Sequence, residues 1–226
     1  MSVTQPGFFP SLSVAEWERY VTRLLANYLP DGIEADVPIA RYLPEALERL
    51  EHCFSRINRK YYNVDGVVAF DHLNGDHVAA FLYLLANTIW KRSGTTAVPT
   101  RLFYLNKAMH GLDLFFSVEL PPVFLLVHPV GTVIGNAQYG DYFTIYQNCT
   151  VGADAGVYPT FGKGVVLFSR SSVLGASVIG DDVVIAANSF VINAAVASSS
   201  IVVGQYPQHR VLPNPIPVRT RIFDPA

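Results

Sequence analysis

The sequence predicts an α+β fold in which an N-terminal α-helical domain precedes a left-handed parallel β-helix of hexapeptide repeats. Two observations predict it: apolar residues recur at helical spacing up to about residue 116, and large apolar residues recur every six residues from Tyr139 onward. A six-residue period fits a solenoid in which each rung is one flat face and one turn. We therefore expect a helical domain over 1–116, a β-helix over 117–207 and a C-terminal tail over 208–226.

Four helices are expected in the first half of the chain. Ser13 and Glu16 have the form of a capping box, and the apolar stripe from Val14 to Tyr28 stops at Pro30. Similar stripes predict the other three helices over 43–57, 76–92 and 100–109. The third of the four is apolar almost all round, so we expect it at the centre of the domain.

Nine near-consecutive hexads carry the β-helix prediction. Their first places hold large apolar residues that would fill the interior: Tyr139, Ile145, Val151, Phe161, Leu167, Val173, Ile179, Ile185 and Val191. The fifth place is often small, where the backbone turns tightly. We expect Gly180 and Asn188 to supply the backbone dihedrals that the corners demand. A β-sandwich is disfavoured, because its strands recur at about 8 to 12 residues with turn clusters between them.

Charge and cysteine usage exclude several classes of protein. A net charge of −2, a pI near 6.3 and the absence of Lys/Arg runs argue against binding to nucleic acid or to an anionic membrane. Cys53 and Cys149 lack metal-ligand spacing, so neither a disulfide framework nor a zinc site is expected. No basic and apolar leader begins the sequence, and its longest apolar stretch is shorter than the ~20 residues that span a bilayer. We therefore expect a cytoplasmic protein.

Residues 128–153 carry a more specific signal, HPVGTVIGNAQYGDYFTIYQNCTVGA. This segment resembles the serine O-acetyltransferase family of hexapeptide-repeat acyltransferases, which runs Asp-His-Ala-Thr-Gly-Ile-Val-Ile-Gly, then two hexads and a Gln-Gly-Val-Thr-Leu-Gly-Gly turn. The matching positions are His128, Gly131, Val133, Ile134, Gly135, Ile145, Gln147, Thr150, Val151 and Gly152. The resemblance covers roughly the last half of the chain. It implies an acetyl-CoA-dependent O-acetyltransferase of a small-molecule acceptor, without a metal, assembled as a homotrimer or as a dimer of trimers.

The resemblance also implies a catalytic site. His128 would be the general base, and Glu119 would be its orienting carboxylate in place of the family's upstream aspartate. An alcohol must lose its proton as it attacks a thioester, and an imidazole can accept that proton near neutral pH. A carboxylate beside the other ring nitrogen fixes the tautomer of the imidazole. By position, the family's acyl-CoA contacts correspond to Gly152, Ala153, Ser169, Ala187 and Gly204.

The sequence departs from the family at the acceptor site. Val127 stands where the family has an aspartate, and residues 156–159 replace its Asp-Arg-His-Pro loop. Two charged contacts to an amino acid are missing, so we expect a small acceptor that is a sugar or another neutral alcohol, or else a hydroxy-amino acid, with Tyr158 and Asp71 as candidate contacts. L-Serine as acceptor and a non-catalytic scaffold are the alternatives. The remaining histidines are expected at the surface or at caps: His52, His72, His77, His110 and His209.

Overall fold

The computed structural model describes residues 7–32, 36–64 and 67–223. The helical domain consists of α1 (Val14–Tyr28), α2 (Leu43–Phe54), α3 (Gly75–Ser93) and α4 (Ala97–His110), with a 3-10 turn at Ile39–Arg41. A small sheet lies beside them, in the order β1-β3-β2, formed by β1 (Phe8–Pro10), β2 (Asn63–Val64) and β3 (Val67–Phe70). Among residues 7–32, 36–64 and 67–223, no helix combines the length and the apolar character needed to cross a membrane.

All four predicted helices are present. The capping box is confirmed, because the Ser13 side chain accepts from the Glu16 N–H while the Glu16 carboxylate accepts from the Ser13 N–H. Helix α4 begins three residues before its predicted start, since Pro99 falls in the first turn, where its missing N–H costs no helical hydrogen bond. Every residue of α3 from His77 to Ile89 is buried, which confirms the expected central position of this helix.

The second half of the chain is a left-handed parallel β-helix with three flat faces, as predicted. Face A contains β5 (Phe124–Val127), β8 (Phe143–Tyr146), β11 (Val166–Leu167), β14 (Val184–Ile185) and β17 (Ser200–Val203). Face B contains β4 (Asp113–Leu114), β6 (Val133–Ile134), β9 (Thr150–Gly152), β12 (Ser172–Leu174) and β15 (Phe190–Ile192). Face C contains β7 (Gln138–Tyr139), β10 (Thr160–Phe161), β13 (Val178–Ile179) and β16 (Ala195–Val196).

Each coil stacks directly on its neighbours, residue over residue. On face A, for example, Ile145 pairs with Leu126 on one side and with Leu167 on the other, and all three side chains are buried in the interior. The predicted first-place residues are buried, apart from Tyr139, which is partly buried. Burial of one such aliphatic side chain contributes about 1.5–3 kcal/mol, so the continuous column supplies much of the stability of this domain.

Two corners of the β-helix are tight for different reasons. Asn188, between faces A and B, has a positive φ of 59°, as predicted. Gly180, between faces C and A, does not have a positive φ; instead, a Cβ there would lie 2.6 Å from the backbone nitrogen of Ser198. A Cβ on Gly162, on the preceding coil, would lie 2.7 Å from the backbone nitrogen of Asp181. Close approach of neighbouring coils therefore requires glycine at this corner. The prediction that Gly180 is needed for its backbone dihedrals is wrong.

The segment after the last coil folds back onto both domains. Strand β18 (Arg210–Pro213) pairs antiparallel with β17, and a short helix, α5 (Val218–Ile222), follows it. The buried ring of Phe223 lies 5.3 Å from the ring of Tyr142 on the β-helix, while the backbone N–H of Asn58 in the helical domain donates to the carbonyl of Ile222. The predicted tail thus packs against the rest of the protein.

The glycine corner gives a stability prediction. Replacing Gly162 with Ala should lower the free energy of unfolding by about 1–3 kcal/mol, because neighbouring backbone must move to admit the methyl group. Gly75→Ala is the matched control, since its Cβ would meet nothing nearer than the His110 ring at 3.6 Å. Urea denaturation followed by circular dichroism measures both. Equal stability of the two variants would contradict the close-packing explanation.

Candidate functional site

His128 lies on an irregular corner between faces A and B. Val127 pairs with Tyr146 and Val133 pairs with Thr150, so residues 128–132 occupy a corner that residues 147–149 fill on the next coil. The first corner is therefore two residues longer, five against three. His128 adopts a positive φ of 46°, and its side chain is 76% exposed. The extra residues project this imidazole away from the β-helix.

A carboxylate from the helical domain contacts the projecting histidine. Oδ2 of Asp76 accepts a hydrogen bond from the backbone N–H of His128 at 3.1 Å and lies 3.4 Å from Nδ1 of its ring. Asp76 belongs to the first turn of α3, where the Asn74 side chain caps the helix by accepting from the Asp76 N–H. Burial raises the pKa of Asp76, and the hydrogen bond from His128 opposes that shift.

The histidine faces two cavities that meet at the contact with Asp76. The larger, of about 670 Å³, is formed by the start of α3, the end of α4 and the long corner. Asp71, Asp76, His110 and His128 belong to its lining, which contains no Lys or Arg. This acidic cleft brings the predicted residue Asp71 together with His128.

The second cavity, of about 460 Å³, lies between the loop after α2 and the outer side of face A. It shares Asp76 and His128 with the acidic cleft, but its lining also includes Arg59 and Lys60. Arg59 and Lys60 thus line only the second cavity, Asp71 lines only the acidic cleft, and Asp76 lines both. A small molecule that carries an amino group and a carboxylate could place the amino group in the acidic cleft and the carboxylate near Arg59 and Lys60.

Glu119 does not reach the site, and the predicted pairing of Glu119 with His128 is not formed in this chain. The Glu119 carboxylate lies 2.5 Å from Nζ of Lys91, near the C-terminal end of α3. Asp76 and the histidine lie at the opposite end of the same helix. At 1.5 Å of rise per residue, the two ends are separated by about 22 Å.

The path of the chain before β5 explains this difference. The buried Tyr83 hydroxyl donates to the carbonyl of Val118 at 2.7 Å, and the buried Asn87 amide donates to the carbonyl of Phe116 at 2.8 Å. These two bonds hold residues 116–118 along the second half of α3. The segment can approach the site only when it enters β5.

Three of the five predicted acyl-CoA residues lie on one edge with the histidine. The pairs Ile145–Leu167, Leu167–Ile185 and Ile185–Val202 fix the register of face A, and the residues two positions further on these coils fall in line. We call this line the corner row; it consists of Gln147, Ser169, Ala187 and Gly204. His128 precedes the row at the start of the longer corner, in which the carbonyl of Val130 accepts from the Asn148 N–H. Beside it, the rings of Tyr146 and Phe168 lie 4.9 Å apart and line its apolar flank.

The other predicted contacts lie one corner away. Gly152 ends β9, and Ala153 follows it at the corner between faces B and C. Tyr158 lies in the loop at that corner, where its ring packs so closely over Gly135 that a Cβ on this glycine would be 2.8 Å from it. In a single chain, these three residues are separated from His128 by the width of face B.

Sequence reasoning missed two histidines near the site. His77, predicted at the surface, is buried, with its ring 4.9 Å from Phe54 and 4.5 Å from Tyr62. His110, at the end of α4, is partly buried and lines the acidic cleft. The helix predicted over 76–92 already places His77 in its first turn, but the sequence does not indicate that its ring is buried against Phe54 and Tyr62.

The residues that the structure describes contain no group of three or more His, Cys, Asp or Glu side chains arranged to hold a metal ion. The two cysteines, Cys53 and Cys149, are free thiols and both are buried.

The fold, a helical domain followed by a three-faced β-helix, and the relatives that the chain matches identify a hexapeptide-repeat acyltransferase. A serine acetyltransferase of Helicobacter pylori is 32% identical over 136 residues, which cover 55% of this chain and 75% of that protein. One from Mycobacterium tuberculosis is 31% identical over 131 residues, and this match spans only 56% of the relative's length. The chain belongs to the serine acetyltransferase family. No family model matches it.

Solved structures agree in fold. The serine acetyltransferase of Neisseria gonorrhoeae in complex with serine superimposes with a TM-score of 0.65 at 20% identity, covering 88% of this chain and 84% of that one. A serine acetyltransferase in complex with CoA also gives a TM-score of 0.65, at 17% identity, covering 86% and 84% of the two chains. The likeness includes the helical half, where sequence similarity is faint.

Burial of His77 gives a prediction for stability against pH. Burial lowers the pKa of His77 from 6.5 to about 4, despite the opposing charge of Asp71. Between these two pH values the unfolded chain binds a proton that the folded chain excludes. The free energy of unfolding should therefore fall as the pH drops through this window, by at most about 1.4 kcal/mol per pH unit from this group.

The comparison of His77→Phe with the wild type measures that contribution. At pH 7.5 the free energy of unfolding of the His77→Phe variant should be about 1 kcal/mol lower than that of the wild type, because the Asp71 N–H loses its acceptor. Below pH 6.5 the stability of the variant should depend less on pH. His52→Gln, at an exposed histidine, is the control and should keep the wild-type slope. Equal slopes for His77→Phe and the wild type in urea titrations would refute the assignment.

Proposed function

We propose that the protein is an acetyl-CoA-dependent O-acetyltransferase whose acceptor is L-serine, with His128 as the general base. The observation that carries the proposal is the position of His128 at the head of the corner row, projecting toward an acidic cleft. In the reaction, Nε2 of His128 takes the proton of the acceptor hydroxyl as its oxygen attacks the thioester carbonyl. The carbon–sulfur bond breaks, and the proton passes to the departing CoA sulfur, giving an ester and a thiol.

The corner row fits the pantetheine arm of acetyl-CoA. Ser169, Ala187 and Gly204 leave the backbone accessible, and Tyr146 and Phe168 supply an apolar flank. When bound, acetyl-CoA supplies the activated acyl group. Gly152 and Ala153 lie one corner away, so we assign the pantetheine contacts to the corner row.

The acceptor assignment corrects the expectation of a neutral alcohol. The relatives are serine acetyltransferases, and the structural neighbour from Neisseria gonorrhoeae was solved with serine. Although Val127 and residues 156–159 lack the family's charges, the two cavities at His128 contain other charges. We propose that Asp71 attracts the amino group of serine and that Arg59 and Lys60 attract its carboxylate.

We also propose assembly as a homotrimer through faces B and C. Beyond β4, where Asp113 pairs with Lys107, the outward positions of these faces carry no charge, and Val133 and Val178 expose 41% and 56% of their surface. Apolar residues repeated along flat faces are typical of surfaces covered by another subunit. Pairing of trimers and a cytoplasmic location stay predictions, as do the contacts of Tyr158 with the acceptor.

The test of the function is thiol release from acetyl-CoA with L-serine and with a panel of sugars and hydroxy acids. We expect release above the hydrolysis background with L-serine. His128→Asn should lower kcat roughly 10²- to 10⁴-fold with little change in KM for acetyl-CoA, because a general base acts on the transition state.

His52→Asn is the matched control, because this exposed histidine lies on α2, outside both cavities, and its rate should equal that of the wild type. Faster release with a sugar than with L-serine would refute the acceptor. A folded protein that neither binds acetyl-CoA by calorimetry nor releases thiol would favour the non-catalytic scaffold.

A bulky residue in the corner row should weaken cofactor binding selectively. Ala187 is exposed, so Ala187→Leu should fold normally and raise KM for acetyl-CoA about tenfold, which corresponds to about 1.4 kcal/mol. Ala197→Leu, at an exposed position on the corner between faces C and A, is the control and should leave KM unchanged. An unchanged KM for Ala187→Leu would show that the pantetheine arm lies elsewhere.

A further inference from the structure

We infer that Asp76 is the positioning residue for His128, so that the helical domain orients the base carried by the β-helix. The inference deepens the proposed function, because it takes His128 to be the general base. It replaces the predicted Glu119 with a residue that lies 43 positions earlier in the sequence than Glu119.

One oxygen atom of Asp76 lies close to the histidine at two points. Oδ2 accepts a hydrogen bond from the backbone N–H of His128 at 3.1 Å, which fixes the bulged corner, and lies 3.4 Å from Nδ1, within ion-pair distance of the ring. The Asp76 side chain is only 19% exposed, whereas that of His128 is 76% exposed. The anchored partner is therefore the carboxylate, and the exposed partner is the group that must meet a substrate.

The carboxylate itself is held rigidly. The Asn74 side chain accepts from the N–H groups of both Asp76 and His77, which fixes the first turn of α3. The ring of His77 then packs among aromatic side chains of the helical core. A positioning group must hold its orientation through the reaction, and a capped turn on a buried helix meets this requirement.

No hydrogen bond or ion pair among the described residues joins Asp71 or Glu119 to the imidazole. Oδ1 of Asp71 accepts from the Leu73 N–H at 2.9 Å, and Glu119 pairs with Lys91 at the far end of α3. Asp76 is thus the carboxylate that the described residues bring against the imidazole.

The chemical consequence concerns the tautomer. A carboxylate facing Nδ1 keeps the proton on Nδ1 and leaves the lone pair on Nε2, at the other side of an imidazole that is 76% exposed. When Nε2 takes the proton of the acceptor hydroxyl, the same carboxylate stabilises the imidazolium. The proton on Nδ1 stays in place throughout, so the carboxylate changes neither its charge nor its partner.

Asp76→Asn tests the inference in the full-length protein. The amide can donate to Nδ1, so it should shift the neutral ring toward the Nε2–H tautomer, which ¹⁵N chemical shifts of the His128 ring report. We expect kcat with L-serine to fall roughly 10²-fold, less than the 10⁴-fold loss of a buried triad, because water reaches this pair. KM for acetyl-CoA should be unchanged.

A double variant separates positioning from a structural role. In the His128→Asn background, adding Asp76→Asn should cause no further loss, because the carboxylate acts through the histidine. Asp76→Glu should recover part of the rate by restoring a carboxylate. Glu48→Gln, which removes an exposed negative charge of α2, is the charge control and should retain the wild-type rate and tautomer.

Three results would overturn the inference: a wild-type His128 ring in the Nε2–H tautomer, a tautomer unchanged by Asp76→Asn, or multiplicative losses in the double variant. The tautomer measurement needs no substrate. If the wild type releases no thiol with any acceptor, the proposed function fails, while the ring tautomer still decides whether Asp76 positions His128.

Discussion

Exact stacking of the coils is the constraint on which the rest of the protein depends. A one-residue slip between neighbouring coils would turn the inward aliphatic side chains outward, so burial of the interior column enforces the register. The glycine corner between faces C and A adds a steric condition, because Gly162 and Gly180 admit the next coil only in this alignment. The corner row follows from the same register: once Leu167 lies under Ile145, residues at the ends of the face A strands line up without any contact of their own.

The site arises where that regularity fails. Five residues occupy the first corner between faces A and B, while three occupy the same corner on the next coil. The two additional residues project His128 toward the start of α3. Its positive φ is unfavourable for a residue with a side chain, and the hydrogen bond from its N–H to Asp76 helps to maintain it. The irregularity thus joins the two domains at one point, and both cavities open beside it.

Much of the fold could be predicted from sequence because its signals are local. Six-residue periodicity identified the coils, helical periodicity and the capping box identified the helices, and a family motif identified His128. The carboxylate beside it could not be found in this way. Whether Glu119 or Asp76 meets the histidine depends on the path of residues 116–118 along α3, which buried bonds from Tyr83 and Asn87 determine. The charges of the cavities escaped prediction for the same reason: they come from the helical domain, where similarity to the family is faint.

The C-terminal helix α5 has a consequence for how the protein is made. Its last turn bonds to Asn58, at the start of the loop that forms one wall of the second cavity, and Phe223 packs against the β-helix. These residues follow every coil in the chain, so they leave the ribosome after the coils and the helical domain. A nascent chain can stack its coils one after another as they emerge, but it cannot anchor the cavity wall until translation has passed Phe223. Assembly of the β-helix and completion of the site are therefore separate events in biosynthesis.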